Sequence, residues 1–125
     1  MDLRDIVTGI YDISVPCNYR CVYCRCDWEN PANQQQPEFN RIKPVIDKII
    51  NLNFRTIILT GGEFFTIHYW KDVLTYTKNK SKDLSIRLIT NASSIKPQDI
   101  DFLENHVEQI NVSFHSADRK LYKQI

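Results

Sequence analysis

Four short apolar runs, each followed by a stretch with helical spacing, constrain this chain more than any other feature. The runs fall at residues 7–14, 56–60, 85–90 and 109–114. Ile42, Val45, Ile46, Ile49 and Ile50 recur at three-four spacing, which puts them on one face of a helix beginning near Asn40. Pro44 falls early enough in that helix to be tolerated. A second helix over 66–78 turns Ile67, Trp70, Val73, Leu74 and Thr77 to one side. A third begins near Pro97, a residue suited to a first helical turn, and carries Ile100 and Leu103 inward. A fourth opens after Ser116 or Asp118. Residues 25–37, with two prolines and the run Gln34-Gln35-Gln36, read as loop.

Strands alternating with helices imply parallel pairing through right-handed crossovers. Thr56-Ile57-Ile58-Leu59-Thr60 is a continuous apolar run, as expected of a parallel strand covered on both faces. Thr60 and Thr90 close successive strands 30 residues apart, and barrel enzymes use about 30 residues per βα unit. The expected fold is α/β, a partial (βα) barrel of about four units. The chain of 125 residues suits one domain, 1–125, with one core.

With 16 basic and 15 acidic residues and no long run of one sign, the charge does not favour nucleic acid as a partner. Lys78, Lys80 and Lys82 read as a solvated helix end and loop. No apolar stretch approaches the ~20 residues of a membrane span. Met1 runs straight into Asp2, Arg4 and Asp5 without a signal peptide, so the expected compartment is the reducing cytosol.

In βα folds, ligands bind at the carboxyl ends of the strands. Four groups of residues lie at such ends. The first is Cys17-Asn18-Tyr19-Arg20-Cys21-Val22-Tyr23-Cys24, a C-x3-C-x2-C run. Three thiolates on one loop are one short of a tetrahedral site and suit an iron–sulfur cluster with one iron left open. Structural zinc is the rival reading, but it usually takes four ligands, often as two separated C-x2-C pairs. No second pair is present; Cys26 is the only other cysteine. It is either a bystander or an auxiliary ligand. The second group is Gly61-Gly62-Glu63, where adjacent glycines allow close backbone approach to a ligand and the acid faces a cation. The third is Thr90-Asn91, and the fourth runs from Ser113 to Ser116 with His115. His68 and His106 read as surface residues, Trp28 and Trp70 as packing groups, and Asp99 and Asp101 as helix first-turn acids.

In order and spacing, nearly the whole chain resembles the radical S-adenosylmethionine (SAM) superfamily. The likeness rests on the cysteine run with Tyr23 before its last cysteine, on Gly61-Gly62-Glu63, and on Thr90-Asn91. The resemblance implies a [4Fe-4S] cluster on Cys17, Cys21 and Cys24, its fourth iron chelated by the amino and carboxylate groups of S-adenosylmethionine. It implies that Gly61, Gly62 and Glu63 position the methionine amino group. Tyr23 would meet the adenine, and Ser113 and His115 the ribose or methionine carboxylate. Thr90 and Asn91 join the cofactor site. An electron donor such as flavodoxin or ferredoxin would supply one electron, and a 5′-deoxyadenosyl radical would take a hydrogen from a substrate. Peptides, nucleotides and a glycyl-radical protein are all candidates.

Three departures stand out. Phe64-Phe65 follow the glutamate where the family often has proline and a small or apolar residue. Ala92 stands where the family often has glycine. The family barrel has about six βα units and four are read here. The expectation is therefore a domain truncated after strand four, with that strand an open edge prone to self-association or completion by a partner. The competing readings are a cluster-binding or truncated module without turnover, and a zinc-stabilised α/β domain.

Overall fold

The computed structural model describes residues 8–124, so Val7, the expected start of the first strand, lies outside the described residues. Strand β1 is Thr8–Ser14, β2 Thr56–Gly61, β3 Ser85–Thr90 and β4 Gln109–Val112. They form one parallel sheet in the order β1-β2-β3-β4. Helix α1 is Phe39–Asn51, α2 Trp70–Lys80, α3 Ile100–His106 and α4 Arg119–Tyr122.

The sheet buries one face. Ile57 and Leu59 of β2 and Ile86 and Leu88 of β3 are fully buried with Ile42 and Ile46 of α1 and Val73 and Leu74 of α2. The alternate residues Ile10, Ile58, Arg87 and Ile89 are exposed or half-buried. Covering of both faces, expected from the run at 56–60, does not hold among the described residues, because the helices pack on one side only.

Most departures at element ends come from side chains taking backbone partners. Helix α1 begins at Phe39 with Glu38, not Asn40, before it. Pro44 lies inside α1, beyond the tolerated first turn, so the Asn40 carbonyl loses its usual helical donor. Val45, expected inward, is exposed. Helix α2 starts at Trp70 and not Thr66, because Phe64–Thr66 form a separate 3-10 turn capped by the Glu63 carboxylate. The loop at 25–37 contains a 3-10 turn, Pro31–Gln34, capped by Asn30.

A 3-10 turn at Pro97–Asp99 precedes α3, whose Leu103 is buried while Ile100 is 44% exposed, against expectation. Asp99 takes the inward place, pairing with Lys71 at 2.7 Å and accepting the Lys96 amide. The Lys71 bond holds its carboxyl below the usual range against the opposing effect of burial. Lys78 is not solvated: it donates to Glu108 at 2.5 Å and to the Leu84 carbonyl. Strand β4 stops at Val112 because β3 ends at its partner Thr90. Only the Ser113 amide reaches further, to the Thr90 carbonyl, which leaves Phe114 exposed beyond the strand. Asp118 caps α4, accepting the Lys120 and Leu121 amides.

Candidate functional site

The carboxyl end of β1 is bulged, so Ile13 and Ser14 are both buried and Ser14 pairs with Gly61. The chain then lies flat on the turn after β2. The Gly62 amide donates to the Ser14 carbonyl at 2.7 Å, and the Glu63 amide to the Pro16 carbonyl at 2.9 Å. A Cβ on Gly61 would stand 2.1 Å from the Ser14 oxygen, and one on Gly62 would stand 1.9 Å from the Val15 oxygen. Gly61 also has φ +141°, a conformation other residues rarely adopt. The close approach these glycines permit is to residues 14–16, the lead into the cysteine loop.

Within that loop, the Cys24 amide donates to the Cys21 carbonyl and the Tyr19 amide to the Cys17 sulfur. The Arg20 guanidinium donates to the Cys17 and Tyr19 carbonyls and lies 4.7 Å over the Trp28 ring. All four cysteines are free thiols.

Glu63 is 2% exposed and its carboxylate accepts three hydrogen bonds. Its Oε1 accepts the Phe65 amide and the Thr90 hydroxyl, and its Oε2 accepts the Asn91 amide. The Asn91 side chain donates to Asn18 at 2.9 Å, and Asn18 donates to Ser93. One polar chain thus runs from the end of β2 through the end of β3 back to the cysteine loop. It passes Ala92, whose φ of 60° is strained for an alanine.

These elements enclose a cavity of about 410 Å³, within the usual size of a small-molecule site. Cys17, Cys21 and Cys24 line it with Tyr23 and the neighbouring Cys26. So do Gly61, Gly62 and Glu63 from the end of β2, Thr90 and Asn91 from β3, and Ser113 and His115 after β4. Every residue proposed from the sequence therefore borders one space. Tyr23 and His115 meet across it, ring centroids 4.8 Å apart. His68 and His106 do not reach it; His106 stacks on Phe102 at 3.9 Å.

The sequence did not single out Ser14 and Tyr122, which line the cavity, or Asn18, which bonds Asn91; Trp28, expected as a packing group, lies under Arg20 and also borders the cavity. Ser14 Oγ and Trp28 Nε1 are buried with no partner among the described residues.

Burial raises the Cys17 thiol, and the Glu63 charge adds to this against the Tyr19 amide. Desolvation and the adjacent Cys21 push the Tyr23 phenol up to about 12 although half of the side chain is exposed. Both shifts favour the neutral form. Among the described residues, no three His, Cys, Asp or Glu side chains converge on a point that one metal ion would occupy. The thiols are instead spread along the cavity wall.

The sequence profile of the Radical SAM superfamily matches residues 11–125. The chain belongs to the radical SAM superfamily. It is 30% identical over 125 residues to a probable GTP 3′,8-cyclase of Thermococcus kodakarensis, covering 98% of this chain and 39% of that protein. It is 29% identical over 120 residues to an S-adenosylmethionine-dependent nucleotide dehydratase of Psychrobacter lutiphocae, covering 86% of this chain and 40% of that protein. The chain thus spans about two-fifths of the length of these curated relatives. In fold it is similar to Streptococcus suis SuiB bound to precursor peptide SuiA, with TM-score 0.76 at 17% identity over 96% of this chain and 26% of that one. BtrN in complex with AdoMet and 2-DOIA gives TM-score 0.73 at 16% identity over 96% of this chain and 51% of that one.

The residues present fit the family's cofactors. Three free thiols on one loop border the cavity beside the Gly61–Glu63 turn. No helix among the described residues is long and apolar enough to cross a membrane.

Proposed function

We propose that this chain carries the cluster and cofactor site of a radical SAM enzyme. Cys17, Cys21 and Cys24 would hold a [4Fe-4S] cluster, and its open iron would take the amino and carboxylate groups of S-adenosylmethionine. The observation that supports this best is that the three thiols and the Gly61–Glu63 turn border one cavity at the carboxyl ends of the strands. Cofactors held by these residues would supply one-electron reductive cleavage of the S-adenosylmethionine sulfonium and hydrogen abstraction from a substrate.

The chain's own residues bind, orient and exclude. Gly61 and Gly62 let β2 seat the cysteine loop without a clash. Glu63 offers its one remaining lone-pair direction to the methionine ammonium while its other bonds fix it in place. Tyr23, Asn91, Ser113 and His115 border the space for the adenosine and methionine carboxylate. Tyr23 and His115 narrow it with aromatic surface, which limits water at the reactive carbon. A one-electron donor of the flavodoxin or ferredoxin kind, in a reducing cytosolic compartment, completes the cycle. The nucleotide chemistry in the names of two curated relatives makes a nucleotide the first substrate class to try.

The test is anaerobic reconstitution with iron and sulfide, followed by reduction in the presence of S-adenosylmethionine. The expected result is four irons per chain and release of 5′-deoxyadenosine and methionine. A folded protein that takes up no cluster, or takes up zinc alone, would overturn the proposal.

A further inference from the structure

The face of the sheet that the helices leave open runs up into the cavity. On β1, Tyr11 and Ile13 turn toward the helices, so the alternate residues Ile10 and Asp12 turn to the open face. Asp12 is exposed and pairs in register with Thr60 of β2. Both border the cavity, together with Ile89 of β3. Thr60 directly precedes the Gly61–Glu63 turn, so this row of the sheet adjoins the cofactor end of the cavity.

The wall they belong to is one-sided in charge. Asp12 and Glu63 are its carboxylates, and no lysine or arginine lines it among the described residues. Glu63 already accepts three hydrogen bonds. Asp12 forms no ion pair among the described residues. Arg20 is occupied with the Cys17 and Tyr19 carbonyls. Arg87 shares the open face but lies opposite Ile58, a row further from the turn, and does not line the cavity.

We propose that Asp12 sets substrate specificity: its carboxylate, with the Thr60 hydroxyl beside it, accepts hydrogen bonds from an N–H edge of the substrate, and any phosphates of the substrate point away from this wall. The inference rests on the function proposed above and deepens it. A carboxylate accepts and cannot donate, and its charge-assisted bonds are about twice as strong as neutral ones. A phosphate in the same place would meet like charge with no cation on the wall to offset it. Ile10, Ile58 and Ile89 flank the pair on the open face, so a substrate that covers them takes water away from the bond. The N–H edge can belong to a nucleobase or to a free amine.

The experiment measures binding by calorimetry to the full chain, reconstituted with iron and sulfide and saturated with S-adenosylmethionine. It compares the wild type with Asp12→Asn and Asp12→Ala. The probes are guanosine triphosphate, inosine triphosphate, which lacks the exocyclic amino group, and the diamine putrescine. The wild type is expected to bind guanosine triphosphate roughly tenfold more tightly than inosine triphosphate. Both variants are expected to bind it roughly tenfold more weakly and to lose that preference. Their iron content and melting temperature should match the wild type, because Asp12 is exposed and unpaired among the described residues.

Putrescine binding that both variants lose, without any preference between the nucleotides, upholds the inference and assigns the edge to a free amine. Equal binding of every probe by wild type and variants overturns it. So does tighter binding of guanosine triphosphate by the variants, which would set the phosphates against Asp12. So does a wild type that holds its cluster and binds none of the probes. Loss of the cluster or of a cooperative melt in both variants would make Asp12 a structural residue and overturns it as well. Absence of any cluster from the wild type overturns the proposed function, and this inference falls with it.

Discussion

The Glu63 carboxylate accepts the Thr90 hydroxyl at 2.5 Å and so bolts the end of β2 to the end of β3. With the Phe65 and Asn91 amides also on this carboxylate, one acid ties its own turn to the end of β3 through three donors. Replacing it by alanine strands two amides and a hydroxyl in a buried place. Glu63→Ala is expected to lower the stability of the cluster-free protein by about 2–4 kcal/mol, and Thr90→Val by about 1 kcal/mol. Urea denaturation measures both. Affinity for S-adenosylmethionine should fall by roughly tenfold or more in Glu63→Ala, while cluster content falls less. A midpoint like that of the wild type would show that the strut carries no stability.

Single alanine substitutions of Cys17, Cys21 and Cys24 are each expected to reduce bound iron and sulfide to background after reconstitution. Cys26→Ala is expected to retain the cluster, although Cys26 also borders the cavity. Chemical analysis of iron and sulfide decides this. A cluster that survives loss of any of the first three but not loss of Cys26 would reassign the ligands.

Gly61→Ala and Gly62→Ala test the seat of the cysteine loop. The added methyl meets backbone oxygen at 2.1 Å and 1.9 Å, and backbone cannot swing aside as a side-chain tip can. Each variant is expected to lose about 3 kcal/mol or more and most of its cluster content. Thermal melting of the cluster-free proteins shows the first effect. Melting temperatures within a degree of the wild type would mean that the two segments can part freely.

Ala92→Gly is expected to act in the opposite direction. The left-handed backbone at Ala92 strains an alanine but not a glycine. Relief should add about 0.5–1 kcal/mol, visible as a rise of a few degrees in melting temperature. A fall would show that the turn from Asn91 to Ser93 relies on stiffness at this residue more than it suffers from strain.

The alternation of elements was legible because burial of one face leaves a period in the sequence, as Ile42 and Ile46 or Ile86 and Leu88 show. The ends of elements were less so. Thr66 does not start α2 because Glu63 takes the Phe65 amide, and Ile100 does not face inward because Asp99 and Lys71 occupy that place. Such polar bonds have no period to read. The cysteine loop was visible in its spacing, and the glycine pair in a chain that has only 3 glycines. Ser14 and Asn18 were not, because a serine at a strand end and an asparagine in a loop are common. Only the missing partner of one and the reach of the other across 73 residues to Asn91 single them out.

The sheet is ordered as the chain is made, each strand beside its sequence neighbours. The segment that seats the cysteine loop, Gly61 to Thr66, follows Cys24 by roughly forty residues, a few seconds of synthesis at ~5–20 residues per second. The Thr66 hydroxyl then closes on the Pro16 carbonyl before the Asn91 latch has been made. The thiols thus wait unguarded while β1 still lacks its neighbour β2. Ser113 and His115, on the far wall, follow the Gly61–Thr66 turn by roughly fifty residues, so the two sides of the cavity are made one after the other.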